Sequence, residues 1–366
     1  MVLTNNWFAL LWIPIIGLAM HMMIPQKSTE INGKIEYRWE MWMAILVIIP
    51  YVIWAGYRID TGDTGVYRKL FLSAPATLSK IPEYISNSTK DKGFSVLVII
   101  IKTIIGDSDV MFFLLIAIFQ MVCLAIVYRK YSTDYLFSIF LFIASTDYFS
   151  WMFNGMRQFI AAAGIFACTA LMLKKKYFSV VLIILALSTI HGSALIMLPI
   201  VFIAQGKAWN KKTVILIIAI VLATAFVGQF TPVLDTLMAE TQYSDILTNE
   251  IWLNDDGTNI IRVIVYSVPA LLSLIGKKFI DNENNPVINL SVNMSICAAA
   301  FYVLSSVTSG IYVGRIPIYM SLYSYISLPW LLKNIFTEKS TKIMYILTIV
   351  LYLLFFYYQM FVIWKG

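Results

Sequence analysis

Long apolar runs separated by short polar or basic connections recur from Trp7 to Trp364. Runs of about 18 or more such residues are what a membrane-crossing helix needs. The pattern predicts spans near 7–25, 39–56, 108–128, 134–153, 157–173, 177–190, 193–205, 212–231, 260–276, 286–308, 314–332 and 342–363. Two stretches break the rhythm. Residues 57–92 form a polar, Pro- and Ser-containing connection too long for an idle loop. Residues 93–105 are apolar but make a helix only about 20 Å long, short for a crossing. That segment, with Lys102 inside it, is expected to be re-entrant or to lie at the interface. The fold class is therefore all-α: a polytopic integral membrane protein of about 11–12 transmembrane helices. A single transmembrane domain occupies 1–366, with 57–92 and 232–258 as external polar loops.

Basic residues set the orientation. Arg129 and Lys130, the Lys174-Lys175-Lys176 run, Lys207, Lys211 and Lys212, Lys277 and Lys278, and Lys333, Lys339 and Lys342 mark loops expected in the cytoplasm. Residues 232–258 carry Asp and Glu without Lys or Arg and are expected outside. Both ends of the run between Lys176 and Lys207 are then inside, yet it holds only about 29 residues, too few for two full crossings. It is expected to be a short helical hairpin over 177–205, turning at His191-Gly192-Ser193 in a cavity, where irregular backbone is tolerated. The same parity puts 147–158, the turn 309–315 and the 57–92 connection outside. Charge bias alone would put 57–92 inside, because it carries Arg58, Arg68, Lys69, Lys80, Lys90 and Lys92. Parity outweighs it, and an anionic ligand is one reason for basic residues there.

Composition agrees with this picture: 60% of the 366 residues are hydrophobic and 13% charged, against about 25% charged in a soluble domain. The net charge of +7 is spread over short loops, which reads as topology and not nucleic-acid binding. The first apolar stretch lacks a basic lead and a following cleavage pattern, so it is read as the first span. Cys123, Cys168 and Cys297 lie in separate apolar segments without CxxC spacing, which argues against a disulfide framework or a zinc site. No Walker loop or dinucleotide fingerprint occurs, and no cofactor is expected.

The candidate chemistry centres on FNGMRQFIAAAG, Phe153 to Gly164, which sets Arg157, Asn154 and Gln158 between apolar helices, with Asp147 just upstream. Ionisable groups at membrane depth are costly and mark function by default. A lone Arg157 would read as a headgroup anchor. Three further pieces expected on the same side favour a site: Arg58, Asp60 and Asp63 followed by Tyr67 and Arg68; His191 with Ser193; and Tyr312 with Arg315. Arginine forks suit phosphate oxygens. Asp60 and Asp63 are candidates for a general base or for holding the arginines, and His191 for either role. Each also has a plainer reading, the carboxylates as turn formers and caps, His191 as a cap at a helix break, and Arg315 as an interfacial residue. Trp151, Trp252 and Trp364 read as interfacial belt. Tyr352, Tyr357 and Tyr358 read as packing.

At these residues the chain resembles the EpsG family of bacterial membrane proteins, which are similar to the Wzy polymerases of exopolysaccharide, capsule and O-antigen assembly. The resemblance spans nearly the whole length and rests on the order of RIDTGDTGVY, FNGMRQFIA, IHGSAL and GRIPIY. It implies polymerisation of repeat units carried on undecaprenyl diphosphate at the outer face of the bacterial cytoplasmic membrane. The partners would be lipid-linked glycan donor and acceptor, membrane lipids and a chain-length regulator. By that resemblance Arg58, Asp60, Asp63, Arg157, His191 and Arg315 are the functional positions. Arg58, Arg157 and Arg315, with Asn154 and Gln158, would bind the diphosphate, and Arg157, His191, Asp60 and Asp63 would act in the reaction, with no metal required. The alternative is a flippase for the same lipid-linked oligosaccharide. Such a transporter is expected to show an internal repeat, and none is visible.

Overall fold

The longest helices are bounded by residues suited to their ends. In the chain's computed structural model, which describes residues 2–23, 27–31, 34–60, 62–88, 90–226 and 257–364, α1 is Val2–Met23. A short antiparallel hairpin follows, β1 Lys27–Ile31 and β2 Lys34–Arg38, with Lys27 opposite Arg38; nothing in the apolar pattern announced it. Next come α2 (Met41–Gly56), α3 (Thr64–Ser73), α4 (Ile81–Ser86), α5 (Lys92–Ile105) and α6 (Asp109–Tyr131). The Ser108 hydroxyl accepts from Met111 N at the start of α6, and Arg129 and Lys130 occupy its last turn, both favourable to the helix dipole and its open ends. Helix α2 lies along α6 closely enough that a Cβ on Gly56 would come within 2.3 Å of Leu114. The Tyr51 hydroxyl ties α2 to α1 through Ala9 O at 2.6 Å.

The second part runs through α7 (Tyr135–Ala144), α8 (Asp147–Phe149) with a π turn over Ser150–Asn154, α9 (Met156–Ala167) and α10 (Thr169–Leu173). The hairpin follows as α11 (Tyr177–Ser188), a 3-10 turn Gly192–Ile196 and α12 (Met197–Ile203), close to its expected bounds. Then come α13 (Lys211–Ala225), α14 (Ile260–Ile275), α15 (Lys277–Glu283), α16 (Pro286–Ser305), a 3-10 turn Val313–Arg315, α17 (Ile318–Ser321), α18 (Ser324–Ile335) and α19 (Glu338–Tyr357), which runs into a π turn Tyr358–Ile363. The chain is an all-α polytopic membrane protein. Among the described residues three helical stretches suffice, by length and composition, to cross a membrane, 109–131, 286–305 and 338–363. Two bent pairs, 135–144 with 147–154 at 68° and 260–275 with 277–283 at 67°, raise this to five. Several expected spans are thus broken: 134–153 at Ser145-Thr146, where Thr146 has φ 68, 157–173 at Cys168, and 314–332 into three pieces. The 232–258 loop falls outside the described residues but for its last two positions.

Buried polar side chains satisfy the irregular backbone, as a membrane interior demands. On α16, Asn289 Oδ1 accepts from Ala208 N, Asn293 Oδ1 accepts from Trp209 N, and Asn293 Nδ2 donates to the carbonyls of Ala204 and Lys207. One helix face thereby completes the turn between α12 and α13. Cys123, Cys168 and Cys297 are free and buried.

Candidate functional site

At one end of the array, α3, α4 and α5 form a small layer with its own core. Tyr67, Phe71, Phe94 and Val98 pack against Phe112, Phe113 and Ile116 of α6 and against Met156 and Ile160 of α9. The 57–92 connection is therefore largely helical. Lys102, expected to mark an interfacial segment, is instead buried; its ammonium donates to the carbonyls of Phe71 and Leu72 and pairs with Asp107. It caps the open end of α3, so α5 packs beneath that helix.

Two contacts seat this layer on the FNGMRQF stretch. Arg58 is 3% exposed, donates to the carbonyls of Ala55 and Met152, and lies over the rings of Phe113 and Phe153. Two of its guanidinium nitrogens are committed to backbone carbonyls and the group lies against aromatic faces, while the remaining Nη is buried without a hydrogen-bond partner; Arg58 clamps the end of α2 to the π turn. The second contact is Gly62, at φ +54. A Cβ there would fall 1.7 Å from Asn154 Oδ1, and only glycine suits both the backbone and the space. Asn154 Oδ1 accepts from Asp63 N at 3.3 Å. Asn154 therefore holds the RIDTGD turn.

The charged centre lies beside this. Arg157, in the first turn of α9, pairs through an Nη with Asp91 Oδ2 at 2.8 Å, and its guanidinium sits 5.7 Å from the ring centroids of both Tyr67 and Phe94. The Asp63 carboxylate and the Tyr67 hydroxyl are within electrostatic range of the same guanidinium. Asp91 is 8% exposed and its other oxygen lies 3.7 Å from His191 Nδ1. His191 enters at the tip of the hairpin, which is fastened to α5 by the Gly93 N to Thr189 O bond of 2.8 Å. On the far side, Gln158 Nε2 donates to Arg315 O at 2.9 Å, and Ser193 and Tyr319 share a hydroxyl contact. The Arg315 side chain is exposed and has no ion-pair partner among the described residues.

The four pieces separated in sequence thus meet at one end of the molecule, with their members divided between distinct tasks. Arg157 and His191 share Asp91, Asn154 and Gln158 position neighbouring backbone, and Arg315 stands at the edge. Asp60 is 61% exposed and pairs with Arg68, whose Nε also reaches Asp109 Oδ2. Asp63 occupies the N-cap position of α3 without a side-chain capping bond. Among the described residues no group of three or more His, Cys, Asp or Glu side chains converges as metal ligands.

Asp147 does not join this centre. It is fully buried and accepts from Trp151 Nε1 at 3.1 Å, from the Tyr325 hydroxyl at 2.6 Å and from the Tyr266 hydroxyl, with an Arg262 Nη 3.7 Å away. Trp151 is accordingly buried within the array and not part of an interfacial belt. Three side-chain donors and the nearby Arg262 thus surround the Asp147 carboxylate inside the array, which reads as a structural role.

Asp91 is the residue that reading the sequence missed. It sits between Lys90 and Lys92 at the end of the polar connection and looks like one more solvated charge. Its backbone, at φ 51 and ψ 47, is left-handed, a conformation Asp tolerates better than most residues. The one signal available was position: an acidic residue opening the short apolar segment that the His191 hairpin has to meet.

No curated protein and no solved structure matches the chain. The EpsG family model matches residues 41–365. That interval holds Arg58, Asp91, Arg157, His191 and Arg315 together with the helices that bring them to one end, and the chain belongs to the EpsG family.

Proposed function

We propose that the chain is a polysaccharide polymerase of the bacterial cytoplasmic membrane, joining oligosaccharide repeat units carried on undecaprenyl diphosphate at its outer face. The observation that carries this reading is Arg157, whose side chain is 36% exposed at the meeting of four chain segments, with its guanidinium beside Asp91 and Tyr67. A rigid, permanently charged fork is suited to a phosphate. Family membership supports a polymerase-like function.

In this reaction an acceptor hydroxyl oxygen attacks the anomeric carbon of the donor glycan. The bond from that carbon to the diphosphate oxygen breaks, and the lipid diphosphate leaves with the electron pair. Arg157, with Arg315 at the edge, stabilises the negative charge that develops on the leaving oxygens. The hydroxyl proton passes to a base, for which His191 is placed better than Asp60, whose carboxylate is committed to Arg68. An apolar groove lined by Phe8, Pro50, Ile53 and Trp54 suits the polyprenyl tail. Trp54 packs on Phe149, and Phe149 stacks on Phe153, so this groove adjoins the stretch that ends at Arg157.

The test is glycan length on a gel from cells deleted for the chain and complemented with wild type or Arg157→Ala at matched membrane levels. A ladder restored by wild type and single repeat units with the variant support the reading. Lipid-linked units stranded on the cytoplasmic side of the deletion strain would instead identify a flippase.

A further inference from the structure

We infer that Asp91 is the positioning residue of this site, holding His191 as the Nδ1–H tautomer while steadying the Arg157 fork. Within the functional reading this leaves His191 Nε2 as the free base for the acceptor proton.

The geometry carries this assignment. Among the described residues Asp91 is the one carboxylate paired with both groups: one oxygen lies 2.8 Å from an Arg157 Nη as an ion pair and the other faces His191 Nδ1 at 3.7 Å. That ring nitrogen is buried and has no hydrogen-bond partner. A buried, unpaired imidazole nitrogen is costly. Closing the gap by about 0.8 Å would bring it to ordinary N–H···O distance. A carboxylate only accepts, so the imidazole must place its proton on Nδ1, and the lone pair then resides on Nε2. A third group that orients a base in this way recurs wherever an imidazole takes a proton from a hydroxyl.

Three further features point to a built arrangement. The Asp91 side chain is only 8% exposed although the residue lies between two lysines in the chain. It holds a left-handed backbone, and non-glycine residues in such conformations cluster at functional sites. The segments carrying the partners are locked beside it, because Gly93 N donates to Thr189 O and a Cβ on Gly93 would strike Thr189. Asp63 has no comparable tie to His191, and Asp60 is exposed on Arg68.

The chain holds two histidines, His21 and His191, so the tautomer is directly readable. Protein with ¹⁵N-labelled histidine in lipid nanodiscs is measured at alkaline pH, where imidazole is neutral. His21→Gln assigns the remaining signal. The expected result is an Nδ1–H pattern for His191 in wild type that changes to Nε2–H in Asp91→Asn, a substitution of the same shape. In cells Asp91→Asn should slow polymer formation by about 10²–10⁴-fold, with Asp91→Glu recovering part of it. An Nε2–H pattern in wild type, an unchanged pattern in Asp91→Asn, or an undiminished ladder from Asp91→Asn would each overturn the assignment. The spectrum is taken without substrate. Failure of the polymerase reading would therefore leave an Nδ1–H result standing, and the two failures can be told apart.

Discussion

At the scale of single residues, Arg157 serves the site while Arg58 serves the fold. Arg157→Ala removes the exposed fork and should lower polymer formation by about 10²–10³-fold with the protein still folded. Arg157→Lys keeps the charge, loses the bidentate geometry and should fall between the two on the same gel. Arg58 should behave differently. Its two hydrogen bonds to carbonyls are charge-assisted, and losing them costs about 3 kcal/mol or more. Arg58→Ala should therefore reduce yield and the thermal midpoint in detergent well beyond Arg157→Ala. Equal midpoints for the two variants would show that Arg58 is no clamp. For the second ion pair, Asp147→Asn strands Arg262 and should cost about 3–5 kcal/mol. Adding Arg262→Met should return part of that loss, as expected for neighbours in one network.

At the scale of elements, the junction between α5 and the hairpin decides whether Asp91 meets His191. Gly93→Ala would place a methyl 2.1 Å from Thr189 Oγ1 and 2.8 Å from a backbone carbon, an overpacking of about 1–3 kcal/mol. The prediction is a ladder shortened by Gly93→Ala and partly restored by Thr189→Ala, because that second change removes the Oγ1 contact and leaves those to Thr189 Cβ and the backbone. No restoration would mean that the junction does not set the site. The hairpin itself was legible because Lys176 and Lys207 confine a run too short for two crossings, and its observed helices keep to those limits. The breaks at Thr146 and Cys168 were not legible, since an apolar pattern reports which residues avoid water and is silent about a single left-handed φ. Trp151 looked like a belt residue for the same reason: its buried acceptor, Asp147, is four residues away along a turn that the pattern read as straight helix. Arg157, Asn154 and Gln158 were legible as polar groups in an apolar setting. Asp91 was not, because its neighbours are lysines and its burial comes from α9 and the hairpin tip, both distant in sequence.

At the scale of the whole molecule, the account requires the Arg157 end to face away from the cytoplasm, opposite the lysine-rich turns. The native cysteines are buried, so single introduced cysteines can report the two sides with little background. Asn87→Cys, exposed on the α4 end, should react with a membrane-impermeant maleimide on intact cells. Lys278→Cys, also exposed, should react only after permeabilisation. The reverse pattern would place the charged site inside and remove it from the proposed reaction. The most direct test of that reaction uses purified protein in nanodiscs supplied with a single lipid-diphosphate-linked repeat unit and no nucleotide, following glycan length and released polyprenyl diphosphate together. The expected result is lengthening glycans with one lipid diphosphate released for each linkage formed, and both products slowed about 10²–10³-fold by Arg157→Ala. Intact repeat units with no diphosphate released, from wild-type protein that is folded and lipid-embedded, would contradict it.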